Sequence, residues 1–379
     1  MRGATLHPIV IAAGGTGGHF FPAEALADEL ARRNRRVVLM TDARSAGFNS
    51  AAFEGRERFV ISGAGIAGRG AVRGALAVAA LAAGALQARA ILQRLNAAAV
   101  VGFGGYPSVP PVLATRLLRT RPAVILHEQN AVLGRANCKL ARHADRIALS
   151  FPATARLPEA APARLTGNPV RPAMASRPYQ PAAPDEPIRI LVLGGSLGAR
   201  VLSDVVPTAL MQLPAGLRGW LSIAQQCRPE DLGRVRAAYT AAAMAAELDS
   251  FFPDVADRLA AAHLVIARAG ASTVAELAAV GRPAVLVPLP GAIDDHQAAN
   301  ARALAAAGAA WVIPQSDFTA ATLAAHVARL LGDPAELARA ARAAAGQARP
   351  DAAQLLADLV SEAAEARLAP LDALPWGRA

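Results

Sequence analysis

Apolar residues along this chain come in short unbroken runs, each closed by glycine or by a polar turn. Pro8-Ile-Val-Ile-Ala-Ala13 leads into Gly14-Gly-Thr-Gly-Gly-His19, and then into a stretch from about Pro22 to Arg33 in which Leu26 and Leu30 share one face. A run that is apolar throughout predicts a strand buried on both faces of a parallel sheet. The i, i+4 leucine pair predicts a helix, with Pro22 in its first turn. Val37-Val-Leu-Met40 is the next strand, so the chain opens as a βαβ unit with a glycine-rich first turn.

The same order recurs further on. Ile188-Arg-Ile-Leu-Val-Leu193 turns at Gly194-Gly-Ser-Leu-Gly198 and enters a predicted helix from about Ala199 to Leu213. Between the two openings, Pro169, Pro172, Pro178, Pro181, Pro184 and Pro187 give a linker composition. The pattern therefore predicts an α/β protein with two doubly wound, Rossmann-like domains facing one another. Residues 1–167 form the first, 168–187 the linker and 188–350 the second, with a helix and tail over 351–379. Further strands are read at Ala98–Phe103, Ala123–Leu126, Leu264–Ala267 and Pro283–Pro288. The turns after them are Gly104-Gly-Tyr-Pro-Ser108, His127-Glu-Gln-Asn130, Arg268–Thr273 and Gly291–Gln297. Sheets of this kind bind ligands at the carboxyl ends of their strands, which assigns all these turns to one cleft. From Pro334 to about Leu368 the chain is alanine-rich with helical periodicity.

Composition narrows the classes. At ~150 residues per domain, 379 residues allow two to three domains. Hydrophobic residues make up 54% and charged residues 18%, which excludes disorder. The net charge of +10 points to an acidic partner: nucleic acid, an anionic membrane or a phosphorylated substrate. Aromatic residues are only 4% and no nucleic-acid-binding motif is present, which argues against nucleic acid. Cys138 and Cys227 lie far apart without metal or CxxC spacing and read as free thiols of a reducing cytosol. The Ile9–Ala13 run is too short for a secretory signal. The uncharged apolar stretch between Arg73 and Arg89 is shorter than the ~20 residues of a spanning helix, which predicts a soluble or peripheral protein. Arg69, Arg73, Arg89 and Arg94 surround Leu76, Val78, Leu81, Leu86 and Ile91, and Leu117-Leu-Arg119 with Arg121 repeats the mixture. Such a stretch is either a core-facing amphipathic helix or a surface drawn to an anionic bilayer.

The turns carry the chemistry. Glycines after a strand let backbone N–H groups approach a phosphate, and the following helix N-terminus adds positive dipole character. The first loop is not a Walker A loop, because no GK[ST] follows, and Phe20 stands where a dinucleotide fingerprint needs its third glycine. His19, just past the last glycine, is either a general base or a helix-capping histidine. Ser272 and Thr273 are candidate caps of a helix in which Glu276 could take a ribose diol or serve the helix dipole. Asp294-Asp-His-Gln297 reads as a loop, with Gln297 able to bond a sugar, and not as a metal cluster. Tyr106 either meets an acceptor or caps its turn, and His127, Glu128 and Asn130 form a polar group at a strand end. No metal and no cofactor are implied.

Taken together, these motifs resemble one family. The chain is similar to the MurG-type UDP-N-acetylglucosamine:lipid I N-acetylglucosaminyltransferases of bacterial peptidoglycan synthesis, which have the GT-B fold. The likeness runs from about Ile9 to about Leu331. Its motifs are Gly14–His19 with Pro22, Gly104–Ser108, His127–Asn130, Gly167-Asn-Pro-Val-Arg171, Gly194–Ala199, Gly270–Thr273 with Glu276, and His296-Gln297 with Asn300. The resemblance implies inverting transfer of N-acetylglucosamine from UDP-GlcNAc to the 4-hydroxyl of the muramyl sugar in undecaprenyl-pyrophosphoryl-MurNAc-pentapeptide. It implies a peripheral site on the cytoplasmic face of the inner membrane, next to other cell-wall synthesis enzymes. It assigns the donor to Ser196, Phe252, Ala271, Ser272, Thr273, Val274, Ala275, Glu276 and Gln297, completed by Asn130, Arg171, Thr16, Gly17 and Gly18. Gly104, Gly105 and Tyr106 go to the acceptor, and His19 is the first assignment as base, with Glu128 the second. It also implies that the final helix crosses back to the first domain. The rival readings are another GT-B UDP-sugar enzyme, either a glycolipid glycosyltransferase or a UDP-GlcNAc 2-epimerase, and a basic nucleic-acid-binding protein.

Overall fold

The computed structural model describes residues 7–14, 17–45, 47, 50–64, 71–195 and 198–368, and side chains at 71–73 and 293 are outside that description. The chain divides into two compact units, one of residues 1–171 with 351–379 and one of residues 172–350. Ser196, Thr16 and Arg69, singled out above, lie outside the described residues.

In the first unit, β1 (Ile9–Ala12), α1 (Gly17–Arg32), β2 (Val37–Thr41), β3 (Arg58–Val60), α2 (Ala71–Leu95) and β4 (Ala99–Gly102) come first. After them come α3 (Val109–Ala114), β5 (Ala123–Glu128), α4 (Arg135–Leu140), β6 (Arg146–Leu149) and β7 (Ala163–Leu165). The seven strands are parallel, in the order β3-β2-β1-β4-β5-β6-β7. The order reverses between β1 and β4, the place where open parallel sheets hold their ligands. Alternation along β1 sends Ile9 and Ile11 to one core, with Leu26 and Leu30 of α1, and Val10 to the other, with Val38, Val100 and Val124.

The second unit holds β8 (Ile188–Leu193), α5 (Arg200–Met211), α6 (Ala215–Arg218), β9 (Leu221–Gln226), α7 (Leu232–Ala241), β10 (Ala246–Asp249) and α8 (Val255–Ala261). It continues with β11 (Leu264–Ala267), α9 (Ala271–Val280), β12 (Ala284–Leu286), α10 (His296–Ala306), β13 (Ala310–Val312), α11 (Ala320–Leu331) and α12 (Pro334–Gly346). Its six parallel strands run β10-β9-β8-β11-β12-β13, with the reversal between β8 and β11. The proline-rich segment is fastened to this unit. Tyr179 Oη donates to the His263 carbonyl at 3.1 Å, and buried Arg282 donates through Nη1 to the carbonyls of Arg177, Val280 and Gly281, each at 2.9 Å.

The last helix, α13 (Ala352–Leu368), belongs to the first unit. Leu356, Leu359 and Val360 join the core of Ile9 and Leu26, and Arg33 of the first unit donates to Asp358 at 2.5 Å. The alanine-rich region holds two helices, α12 and α13. The break falls at 347–351, where Pro350 has no N–H to offer a continuing helix.

Two further boundaries differ from the pattern. α1 starts at Gly17, so the glycine turn is itself the first helical turn and Pro22 sits inside the helix, removing only the bond to the Gly18 carbonyl. β5 runs on through His127 and Glu128, because β6 pairs alongside as far as Glu128↔Leu149.

Among the described residues, one helix is long and apolar enough to cross a membrane: α2, over Gly74–Leu95, with mean hydropathy 1.8. One side of it is committed to the first unit. Ala88 and Leu92 are buried in the core, Gly84 lies against the Ser62 carbonyl, and Gln87 Oε1 accepts from Ser62 N at 2.8 Å. The other side leaves Leu76 66% and Leu86 60% exposed. Leu113 and Leu117 are also exposed, as are Arg89, Arg116 and Arg119.

Two glycines of α2 separate packing from propensity. A Cβ at Gly84 overlaps the Ser62 carbonyl oxygen, whereas one at Gly74 meets nothing within 4 Å. Gly84→Ala is expected to cost about 1–3 kcal/mol. Gly74→Ala is expected to stabilise by about 0.5–1 kcal/mol. Urea unfolding of both variants measures the difference, and equal effects would contradict the packing of α2.

Candidate active site

In the first unit, the end of β1 and the end of β4 meet beneath His19. Ser108 Oγ bridges them, donating to the carbonyls of Ala12 at 3.1 Å and Gly104 at 2.8 Å. Gly104 and Gly105 have φ of +84° and +65°, which only glycine adopts readily. A Cβ on either would stand 3.5 Å from the His19 ring. The ring therefore lies on bare backbone, and its Nδ1 meets Gln129 Oε1 at 3.0 Å.

Glu128 is placed differently from the role of a base. It is buried at the end of β5, and its oxygens receive four donors. Oε1 accepts from Asn130 N at 3.1 Å and Asn130 Nδ2 at 3.0 Å, and Oε2 accepts from Gly134 N at 2.9 Å and Asn137 Nδ2 at 2.8 Å. Four donors match the lone-pair capacity of a carboxylate, so this group holds the 130–137 loop and orients Asn130. Tyr106 is engaged by residues that follow β2. Its hydroxyl donates to buried Asp42 and accepts from Arg44 Nε at 2.9 Å. Gly14 makes room for that group, since a Cβ there would fall 2.8 Å from Asp42 Oδ1. Arg171 lays its guanidinium 4.8 Å above the Phe21 ring, one turn along α1 from Gly17 and Gly18.

In the second unit the loop after β8 is as tight. A Cβ at Gly194 would meet Ala199 N at 2.6 Å, and one at Gly198, where φ is +65°, would meet Arg228 Cγ at 2.7 Å. After β11, buried Arg268 donates to the carbonyls of Val287 and Pro288 at 3.0 and 3.1 Å and to Gln315 Oε1 at 2.7 Å. It thereby gathers the ends of three strands. Burial, with Arg228 nearby, pushes its pKa down. Ser272 and Thr273 do not cap α9. The cap position is Gly270, no side chain caps the helix, and Ser272 Oγ is buried with no hydrogen-bond partner among the described residues. Ala271 and Val274 face the core, while Thr273, Ala275 and Glu276 are half-buried. Asn300 Nδ2 donates to the Ala269 carbonyl at 3.2 Å and ties α10 to this turn.

Gln297 Oε1 accepts from Leu289 N at 3.0 Å, so its amide nitrogen is the end that can reach a ligand. Asp294 and Asp295 before it both have positive φ, 60° and 54°, a strained pair of the sort that clusters at binding sites. Among the described residues, no three His, Cys, Asp or Glu are grouped to hold a metal ion. Phe252 is turned inward under the Arg258 guanidinium, 4.2 Å from its ring centre, and the exposed aromatic of that loop is Phe251.

Sequence reasoning missed Asn137, Arg44 and Arg228 as members of these clusters. Gln129 and Arg268 lay inside turns it had placed at strand ends, and Asp42 lay just past the second strand, but none was given a role.

Comparisons with known proteins identify the family and the fold. The model of the glycosyltransferase family 28 N-terminal domain matches residues 9–149, and that of the family 28 C-terminal domain matches residues 189–356. The UDP-N-acetylglucosamine–N-acetylmuramyl-(pentapeptide) pyrophosphoryl-undecaprenol N-acetylglucosamine transferase of Granulibacter bethesdensis is 58% identical over 97% of both chains. The transferase of the same name from Acidiphilium cryptum is 57% identical over 97% of this chain and 100% of its own. The crystal structure of Acinetobacter baumannii MurG covers 94% of this chain and 99% of its own, with a TM-score of 0.76 and 34% identity.

The His127 ring is fully buried, and desolvation pushes its pKa down from 6.5 to about 4. Above pH 6.5 the ring is neutral both folded and unfolded. As pH falls from 6.5 towards 4, the unfolded chain takes up a proton that the folded chain refuses, so stability falls. The loss expected from this ring is about 3 kcal/mol across that window. Urea unfolding from pH 7 to pH 4 should show a shallower decline for His127→Gln than for the unaltered chain; identical slopes would contradict the assignment.

Proposed function

The chain belongs to glycosyltransferase family 28, among the UDP-N-acetylglucosamine–N-acetylmuramyl-(pentapeptide) pyrophosphoryl-undecaprenol N-acetylglucosamine transferases, and from that premise we propose how its residues share the work. The enzyme moves N-acetylglucosamine from UDP-GlcNAc to the 4-hydroxyl of the muramyl sugar in lipid I, forming lipid II.

The observation that carries the donor assignment is the start of α9, which has no side-chain cap and a buried Ser272 hydroxyl with no hydrogen-bond partner among the described residues. An uncapped helix N-terminus attracts a phosphate, and a donor there stabilises the charge that grows on UDP as it leaves. Arg228, against the Gly198 turn, adds positive charge to the same unit. Gln297 offers its amide nitrogen to the sugar.

The acceptor oxygen attacks the anomeric carbon as the bond from that carbon to the UDP oxygen breaks. The electron pair leaves with UDP, the configuration inverts, and the acceptor proton passes to a base. His19 is that base. It is half-buried on the Gly104–Gly105 backbone, whereas Glu128 has its lone pairs occupied. Asn130, held by Glu128, and Arg171, held over Phe21, remain the polar side chains that the first unit offers to substrate.

The exposed side of α2 supports a peripheral place at the cytoplasmic face of the membrane. Leu76, Val78 and Leu86 lie in the open on the same helix as Arg89, and Leu117 lies close in sequence to Arg116 and Arg119. Apolar side chains enter the headgroup boundary while arginines meet anionic lipid.

Purified protein given labelled UDP-GlcNAc and a lipid I analogue is expected to yield the disaccharide lipid, and the absence of that product would overturn the reading. His19→Ala should lower kcat by about 10²–10⁴ while UDP binding stays nearly unchanged. For the membrane, the triple variant Leu76→Glu, Leu86→Glu, Arg89→Glu should lose most of its sedimentation with anionic vesicles and keep its fold by circular dichroism. Undiminished sedimentation would assign that surface another role.

A further inference from the structure

The hydrogen bonds around Gln129 decide which nitrogen of His19 carries a proton. Gln129 is buried, and its Nε2 faces the Phe103 carbonyl at 3.0 Å, the His127 carbonyl at 3.2 Å and Nδ1 of His127 at 2.9 Å. Carbonyl oxygens only accept, so the end of the side chain that faces two of them must be its NH2. The His127 ring agrees. Its Nε2 faces the Gly167 carbonyl at 3.2 Å and must bear a hydrogen. Burial keeps this ring neutral at neutral pH, so its Nδ1 is the bare nitrogen that accepts from Gln129.

The far end of the amide is then its oxygen, 3.0 Å from Nδ1 of His19. That oxygen only accepts, so Nδ1 of His19 must donate, whether the ring is neutral or cationic. In the neutral ring the lone pair is therefore at Nε2. That nitrogen lies on the Gly105 side, 3.5 Å from where a Cβ of Gly105 would stand.

We propose that the chain of hydrogen bonds from the Gly167 carbonyl through His127 and Gln129 holds His19 as the Nδ1–H tautomer, so that Nε2 receives the proton of the acceptor hydroxyl. Gln129 and His127 are positioning residues for the transfer and touch no substrate. The inference rests on His19 as the base. In the step, the acceptor O–H bond breaks and its proton goes to Nε2. The oxygen forms its bond to the anomeric carbon, and the electron pair of the broken carbon–oxygen bond leaves on UDP. The imidazolium so formed keeps its Nδ1–H on Gln129, so neither ring nor amide reorients during turnover. Electrostatic stabilisation that needs no reorganisation at the moment of reaction is the efficient kind.

The test is nitrogen NMR of the full chain labelled with 15N-histidine, with the His19 signals assigned by their loss in His19→Gln. At a pH where the ring is neutral, His19 should show a protonated Nδ1 and an unprotonated Nε2. Finding the proton on Nε2 would overturn the proposal without any further variant. Gln129→Met keeps the side-chain length but neither donates nor accepts comparably. It should lower kcat about tenfold to a hundredfold, leave KM for UDP-GlcNAc nearly unchanged and erase the single-tautomer signature. Unaltered kcat in a folded Gln129→Met would also overturn it. Full turnover by His19→Ala would instead overturn the base assignment, whichever tautomer the spectrum shows.

Discussion

The candidate site of the first unit is built on one close approach, that of the backbone after β4 to the ring of His19. Gly104 and Gly105 turn through positive φ beneath that ring, and Ser108 bonds their loop to the end of β1. A side chain at either glycine would be strained in its own backbone and pressed against the imidazole. The histidine is thus located by two strand ends of one sheet and not by a flexible surface loop. Orientation of this kind contributes a large share of a transfer rate, because reacting groups held at contact distance need no further search.

Buried charges perform the same service elsewhere. Glu128 collects four donors and anchors the loop after β5. Arg268 collects the ends of β11, β12 and β13, and Arg282 gathers carbonyls from α9 and the proline-rich segment. A buried charge is tolerated only when its hydrogen-bonding capacity is met, so each of these groups dictates where several backbone segments lie. The groups proposed above to meet ligands are of another kind: an imidazole, a hydroxyl, an amide and a helix N-terminus, dipoles and not buried charges.

The legible strands were those buried on both faces. β1, β2, β4, β5, β8, β11 and β12 stand out as apolar runs because a parallel sheet between helices leaves no face for polar residues. β3, β7, β10 and β13 were not read for the opposite reason: they are edge strands and carry partly exposed side chains. β6 and β9, inside their sheets, were not read either; β6 opens on exposed Arg146, and β9 alternates buried residues with exposed or half-buried ones. At the site, His19 and Gly104-Gly105 were legible because a polar or glycine residue straight after a buried strand has a definite place in such sheets. Gln129 was not, since its role comes from partners on different segments, and His19 lies 110 residues away along the chain.

The sequence by itself determined the two glycine-turned βαβ openings and the polar turns at their strand ends, which follow from local patterns of burial, glycine and polarity, and its ordered motifs carried the resemblance to the MurG-type transferases. Tertiary structure alone decided which partners the members of the polar run at the end of β5 meet. Glu128 is occupied by donors of the 130–137 loop, His127 is kept neutral by burial, and Gln129 meets His19. It also decided that α2 gives one side to the core and leaves the other open. The physical reason is the same in each case. Hydrogen-bond partners and burial are properties of pairs of segments brought together by the fold, and a one-dimensional pattern records only what each segment needs, not which partner meets the need.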